Sequence, residues 1–401
     1  MNPIRNLAPA TETGLLERPG RTKRFTLDGS EDLESHLTQV CEQVSADIQK
    51  VIPARKLEAL VLGGGYGRGE GGVLKTEKDD RPYNDLEFYV FLRGNRFGNE
   101  RKYGDALRES GRRLSPKAGL HIEFKVDSLA RLRRSPVTMF SYDLVSGHRV
   151  LAGSRFVFRG CEHHLNADKI PLTEATRLLM NRCSGLLFAR EKLTHEPFTA
   201  DDADFVGRNI AKARLAFGDA VLTAFGQYHW SCRARHDRLL RFSPPEILSW
   251  LDEVRRHHAA GMEFKLHPRQ TFESGTALKA QHAEITTFAL QIWLWLENRR
   301  LGSHFESAQD YALSPADKCS GTRPWRNFFV NAKVFGLPGL FQPNWQRHPR
   351  ERILNALALL LWEGHTTKST VRSQLHNASL SLDDDIAKWT AVYQTLWSKL
   401  C

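Results

Sequence analysis

Residues 62–72, LGGGYGRGEGG, put seven glycines into eleven positions, and the apolar run KLEALVL (56–62) leads straight into them. Glycine inside a helix or strand costs roughly 0.5–1 kcal/mol relative to alanine, so a stretch this rich is kept where backbone must bend sharply or be approached closely. A strand ending in such a turn offers its N–H groups to an anion, and a phosphate chain comes nearest to bare backbone. Arg68 adds a fixed positive charge within the turn. What the turn serves depends on the acidic residues that follow.

Two alternating segments follow it. In DLEFYVFL (85–92), Leu86, Phe88, Val90 and Leu92 share one face, and Asp85, Glu87, Tyr89 and Phe91 share the other. In HIEFKVDSL (121–129), Ile122, Phe124 and Val126 lie opposite His121, Glu123, Lys125 and Asp127. Asp85 and Glu87 therefore point the same way from one strand, and their repulsion calls for a cation between them. Oxygen donors in this arrangement suit Mg²⁺, with Mn²⁺ as a substitute. Glu123 on a neighbouring strand supplies a third carboxylate, completing a set able to hold two metals for in-line displacement at phosphorus. Asp127 shares the face of Glu123 but falls at the strand's exit, so Glu123 is the preferred third acid. No Gly-Lys-[Ser/Thr] follows the turn, which excludes a P-loop, and Gly67-x-Gly69-x-x-Gly72 is weak as a dinucleotide fingerprint.

The rest of the chain divides by pattern. Residues 1–30 mix Pro, Gly, Thr and charge without periodicity and are expected to be a loosely held arm. Ser30 then caps a helix with Leu33, Leu37, Val40, Val44, Ile48 and Ile52 on one stripe, ended by Pro53. Gly98–Leu114 reads as a basic helix between the two acidic strands. Beyond about residue 172 nearly every segment carries helical spacing, as in residues 173–191, 203–229, 246–261, 283–301, 350–364 and 382–400. The expected fold is thus α+β: a mixed sheet with flanking helices over 31–160, followed by an α-helical bundle over 161–401.

At this point the motifs resemble the nucleotidyltransferase (polymerase-beta-like) superfamily. Gly64-Gly65 matches its Gly-[Gly/Ser] pair, Asp85-Leu86-Glu87 its acidic-x-acidic strand, and Glu123 its third acid. YGRGE (66–70) is similar to the xARGE of minimal and antibiotic-modifying members, and YDLVSGHRVLAG (142–153) to the helix and strand that close the domain. The resemblance covers residues 58–155. Asp85 lies twenty positions beyond Gly65, so GGVLKTEKDDRPY (71–83) reads as an insertion relative to minimal members. The family implies an enzyme that transfers a nucleoside monophosphate from an NTP to a hydroxyl acceptor: RNA, protein or a small molecule. Asp85, Glu87 and Glu123 would then be the catalytic and Mg²⁺-binding residues, and Gly64, Gly65, Tyr66 and Arg68 would bind the nucleotide. The alternative is a catalytically degenerate member that binds nucleotide or RNA as a sensor.

Composition narrows the partners. A net charge of +11 favours anionic ones and argues against a cationic aminoglycoside acceptor. The basic clusters at Arg131–Arg134, Ser231–Arg241 and Gln346–Arg352 are read as solvated faces, and Arg182 and Lys212 as stems lying on a bundle surface. Six cysteines without a CxxC pair speak against a disulfide framework or zinc knuckle, and Cys161-Glu-His-His164 lacks a companion pair. Arg190-x4-His195 has the spacing of HEPN-type RNases, though Pro197 follows closely. No apolar run approaches the roughly 20 residues that span a membrane, and the N-terminus lacks a signal-peptide core, so a cytoplasmic protein is expected.

Overall fold

The computed structural model describes residues 24–271, 273–336, 345–363, 368–375, 380–381 and 385–400. The first helix, α1 (Glu31–Val51), starts where Ser30 Oγ accepts the Leu33 N–H and buries the expected stripe. Strand β1 (Leu57–Leu62) runs into the short helix α2 (Gly64–Arg68), and a hairpin of β2 (Val73–Lys75) and β3 (Asp80–Pro82) fills the insertion. Strand β4 (Leu86–Leu92), helix α3 (Arg96–Ala118) and strand β5 (Ile122–Asp127) form a crossover unit, so β4 and β5 pair in parallel. A single turn, α4 (Leu129–Leu132), and α5 (Met139–Ser146) precede β6 (Arg149–Gly153). The sheet order is β5-β4-β1-β6, with β1 antiparallel to both β4 and β6.

The two sheet faces bury different sets. Leu60, Leu62, Leu86, Phe88, Val90 and Ile122 pack with α1 and α3, while Ala59, Val61, Tyr89 and Phe91 pack with Leu129, Leu132, Leu144 and Val145 of α4 and α5. A sheet covered on both faces explains why β4 is apolar almost throughout. At roughly 1.5–3 kcal/mol per fully buried large apolar side chain, these layers dominate the local stability. Glu87 lies on the second face at the end of β4, where that cover stops.

The helical region is α6 (Leu172–Lys192), α7 (Ala200–Ala224), α8 (Cys232–Arg241), α9 (Leu251–Leu266), α10 (Gly275–Leu301), α11 (Ala308–Leu313), α12 (Pro324–Phe335), α13 (Arg350–Ala358), α14 (Lys368–Leu375) and α15 (Ile386–Leu400). It shares one core running from Ala175 to Leu400. Among the described residues no helix is long and apolar enough to cross a membrane.

Residues 24–30 correct the expectation of a loose arm, whose first 23 residues lie outside those described. Phe25 and Thr26 are buried. The Glu34 carboxylate accepts both their N–H groups and the Thr26 hydroxyl, and Phe25 O accepts the Gly71 N–H. The segment is tied to the glycine stretch, a link that local periodicity does not encode.

Candidate active site

Gly63 N–H donates to Glu87 O at 2.9 Å, which sets the glycine turn directly against β4. Gly64 has φ +63°, the left-handed region, and a Cβ there would lie 3.6 Å from the Glu87 carboxyl carbon. At Gly63 a Cβ would come within 2.5 Å of the Tyr89 ring. At Gly67 it would come within 2.2 Å of Leu62 O. The glycines are therefore required by the close passage of the turn over Glu87 and Tyr89 and over its own strand.

Glu87 and Glu123 are direct partners in the β4–β5 register, as are Tyr89 and Lys125. Lys125 Nζ sits between the two carboxylates, 3.0 Å from Glu123 Oε2 and 3.5 Å from Glu87 Oε2. Tyr89 donates its hydroxyl to Glu87 Oε2 at 2.7 Å. Desolvation pulls the Lys125 pKa down, but Glu87 and Glu123 more than offset it and hold it above the ordinary lysine value. Desolvation and the adjacent Glu87 raise Tyr89, which stays a hydrogen-bond donor. Lys125 carries no motif. Alternation puts it on the face of Glu123, but its tie to Glu87 needs the register.

The remaining expected residues separate into three groups. Asp85 lies just before β4, exposed, rather than within the strand. Gly65 stands over Glu70 O. Tyr66 and Arg68 require correction as nucleotide contacts. Tyr66 is 1% exposed, and its hydroxyl donates to Gly72 O and accepts the Tyr83 N–H, so it closes the loop from inside. Arg68 has 10% of its side chain open and pairs with Asp143 at 3.3 Å. Asp127 is spent at the far end of β5, opposite Phe91, on Arg131 and the Ser128 N–H.

The helical region reaches the site from the other side. Glu70, 4% exposed, accepts hydrogen bonds from Ser231 Oγ (2.5 Å) and Cys232 N (2.9 Å), pinning the glycine stretch to the start of α8. Desolvation would raise its pKa, yet Lys265, Ser231, the Cys232 N–H and Arg68 hold it below the ordinary value. From Arg68 a chain of contacts runs inward: Tyr228 donates to Asp143, Arg235 donates to Tyr228, and Arg235 Nε stands 2.7 Å from Asp219, which also meets His258 at 3.2 Å. The solvated reading of Ser231–Arg241 is thus wrong for Arg235, 3% exposed and neutralised by Asp219. Arg182 is half-buried, whereas Lys212 is exposed, as a stem on the bundle surface should be. Desolvation by the surrounding atoms, then Arg182 and Arg208, lower the pKa of Lys212, while Asp85 opposes them. Lys212 is open to solvent and within the field of Asp85.

Two opposed carboxylates with a third at the strand mouth are a donor set that fits a hard divalent cation. Glu87 and Glu123 would hold it, in the place Lys125 Nζ takes, with Asp85 closing from the mouth. As the side chains stand, the trio that brings one ligand atom each within 4.8 Å among the described residues is another, Glu253, His257 and Glu284. Arg256 pairs with Glu253 at 3.4 Å and Arg214 lies in the field of Glu284, so that cluster already has its counter-charges. His164 of the Cys-Glu-His-His segment bonds Leu132 O, Arg190 holds the carbonyls of Leu360 and Leu361, and His195 meets Asp202. These are structural contacts. The five described cysteines are free. Comparison with protein-family models, curated proteins and solved structures found no match to the chain.

Proposed function

We propose that this chain is a Mg²⁺-dependent nucleotidyltransferase that moves a nucleoside monophosphate from an NTP to a hydroxyl acceptor. One observation carries the reading: side-chain-free backbone at Gly64 faces the Glu87 carboxyl, which stands in register with Glu123. Backbone that close to paired carboxylates would let a triphosphate pass along the turn while a metal sat against the carboxylates. Bound Mg²⁺ would neutralise the phosphates and the departing pyrophosphate. Asp85, Glu87 and Glu123 would anchor it, and Gly64 and Gly65 would pass the β- and γ-phosphates along the turn. Lys212, with Arg182 and Arg208 behind it, would add positive charge opposite Asp85. The acceptor oxygen would attack the α-phosphorus as the bond to the β-phosphate oxygen breaks, and its proton would pass to Glu123. The net charge of +11 favours RNA or an acidic protein surface as the acceptor.

The test is incubation with each α-³²P-labelled NTP, Mg²⁺ or Mn²⁺, and a host lysate, comparing wild type with the Asp85→Ala/Glu87→Ala variant. Label on RNA, protein or a metabolite with wild type alone supports transfer and names the acceptor class. Absence of label from every fraction with all four NTPs contradicts it. A second reading, a nucleotide-binding sensor without transfer, is favoured by one contact: Lys125 already pairs with both Glu87 and Glu123.

A further inference from the structure

We infer that Lys125 is an exchangeable counter-ion of this site, leaving Glu87 and Glu123 when a divalent cation binds and turning to the nucleotide's phosphates. The inference rests on the metal–nucleotide reading of the same residues. Two half-buried carboxylates directly opposed on parallel strands repel, and something positive must stand between them. In this fold it is the Lys125 ammonium, 3.0 and 3.5 Å from the two carboxylate oxygens. A divalent cation bridging the same two oxygens would take the place of the ammonium, so metal binding there competes with the lysine contact.

The lysine is built to leave. Its side chain is 39% exposed and its four-carbon stem is flexible. While paired, the ammonium already stands over the Tyr89 ring, 5.6 Å from its centroid, and that ring lies against Gly63 of the turn, so a short swing of the stem would carry the charge toward an anion there. Tyr89 keeps its bond to Glu87 and so preserves that carboxylate's orientation through the exchange. Exchange prevents a bare acidic pair from forming without metal and gives the triphosphate a cation only after metal has arrived.

The signature is a pair of opposite effects. Titrating Mn²⁺ into the full-length protein, with free Mn²⁺ read by electron paramagnetic resonance, should give Lys125→Gln roughly 3- to 10-fold tighter binding than wild type, as removal of a half-exposed competing ion pair implies. Lys125→Arg, which keeps a counter-ion, should not tighten. With Mn²⁺ saturating, α,β-methylene ATP should bind Lys125→Gln more weakly than wild type. Circular dichroism establishes that both variants are folded. Equal Mn²⁺ affinity in wild type and Lys125→Gln overturns the exchange while leaving the metal site standing. Absence of Mn²⁺ binding in all three proteins overturns both. Unchanged nucleotide affinity in Lys125→Gln overturns the turn toward phosphate.

Discussion

Glu70→Ala should loosen the joint between the glycine stretch and the helical region without touching the acidic strands. The Glu70 carboxylate is buried and accepts hydrogen bonds from Ser231 Oγ and the Cys232 N–H, with Arg233 N at 3.5 Å. A hydrogen bond to a charged group contributes about 1.5–3 kcal/mol, and a carboxylate at a helix start adds about 0.3–1 kcal/mol. Water entering the vacated space recovers part of this, leaving a local loss of about 3 kcal/mol, or roughly a hundredfold in opening. Amide hydrogen exchange at Cys232 and Arg233 should accelerate by that factor, and Glu70→Gln by less, since its amide oxygen still accepts one bond. Because the folded pKa of Glu70 is depressed, its contribution is present above the unfolded value of about 4.3 and fades as pH falls through the folded one. Unchanged exchange at α8 in Glu70→Ala would refute the assignment of Glu70 as the anchor.

Other outcomes follow from the same packing. Gly67→Ala sets a Cβ 2.2 Å from Leu62 O and should sharply lower the melting temperature, whereas Gly98→Ala in α3 meets nothing within 4 Å and should stabilise by about 0.4–1 kcal/mol; the reverse order would contradict the geometry. Arg235→Met removes the ion-pair partner of the buried Asp219, leaving it His258 at 3.2 Å and the fields of Lys265 and Arg182, and should cost about 3–5 kcal/mol; the double change with Asp219→Asn should melt higher than Arg235→Met. Burial, aided by Arg238 and Arg350 respectively, pushes His229 and His348 down to about 4. Both stay neutral in the fold while the unfolded chain takes up protons below about 6.5, so stability should fall from pH 6.5 to 4. A melting profile in that window no flatter for the double His→Gln variant would contradict this.

What the sequence disclosed was local. The stripe of α1, the alternation of β4 and β5 and the spacing of α6, α7 and α10 repeat within a few residues of themselves, and the structure has them. Helix α8 escaped notice because its buried face includes Arg235, whose partner Asp219 lies on another helix. Helix α12 carries readable signals too: Pro324 at its start, Gly336 just past its end and apolar residues at helical spacing. At the site, the glycine turn and the acidic residues were legible as residue types, whereas the fates of Tyr66 and Arg68 depended on Tyr83, Gly72 and Asp143. Lys125 is the instructive case: visible on the right face, it became a neighbour of Glu87 only through the parallel register that α3 imposes.

Whether the turn and the two acidic strands hold metal and triphosphate together is decided by a crystal grown with Mn²⁺ and an α,β-methylene NTP, with diffraction recorded at the manganese edge. The nucleotidyltransferase reading requires an anomalous peak about 2 Å from carboxylate oxygens of Glu87 and Glu123, with phosphate density along Gly64 and Gly65 and Lys125 drawn away from the carboxylates. Nucleotide bound elsewhere, with Lys125 still between Glu87 and Glu123 and no manganese there, would contradict it.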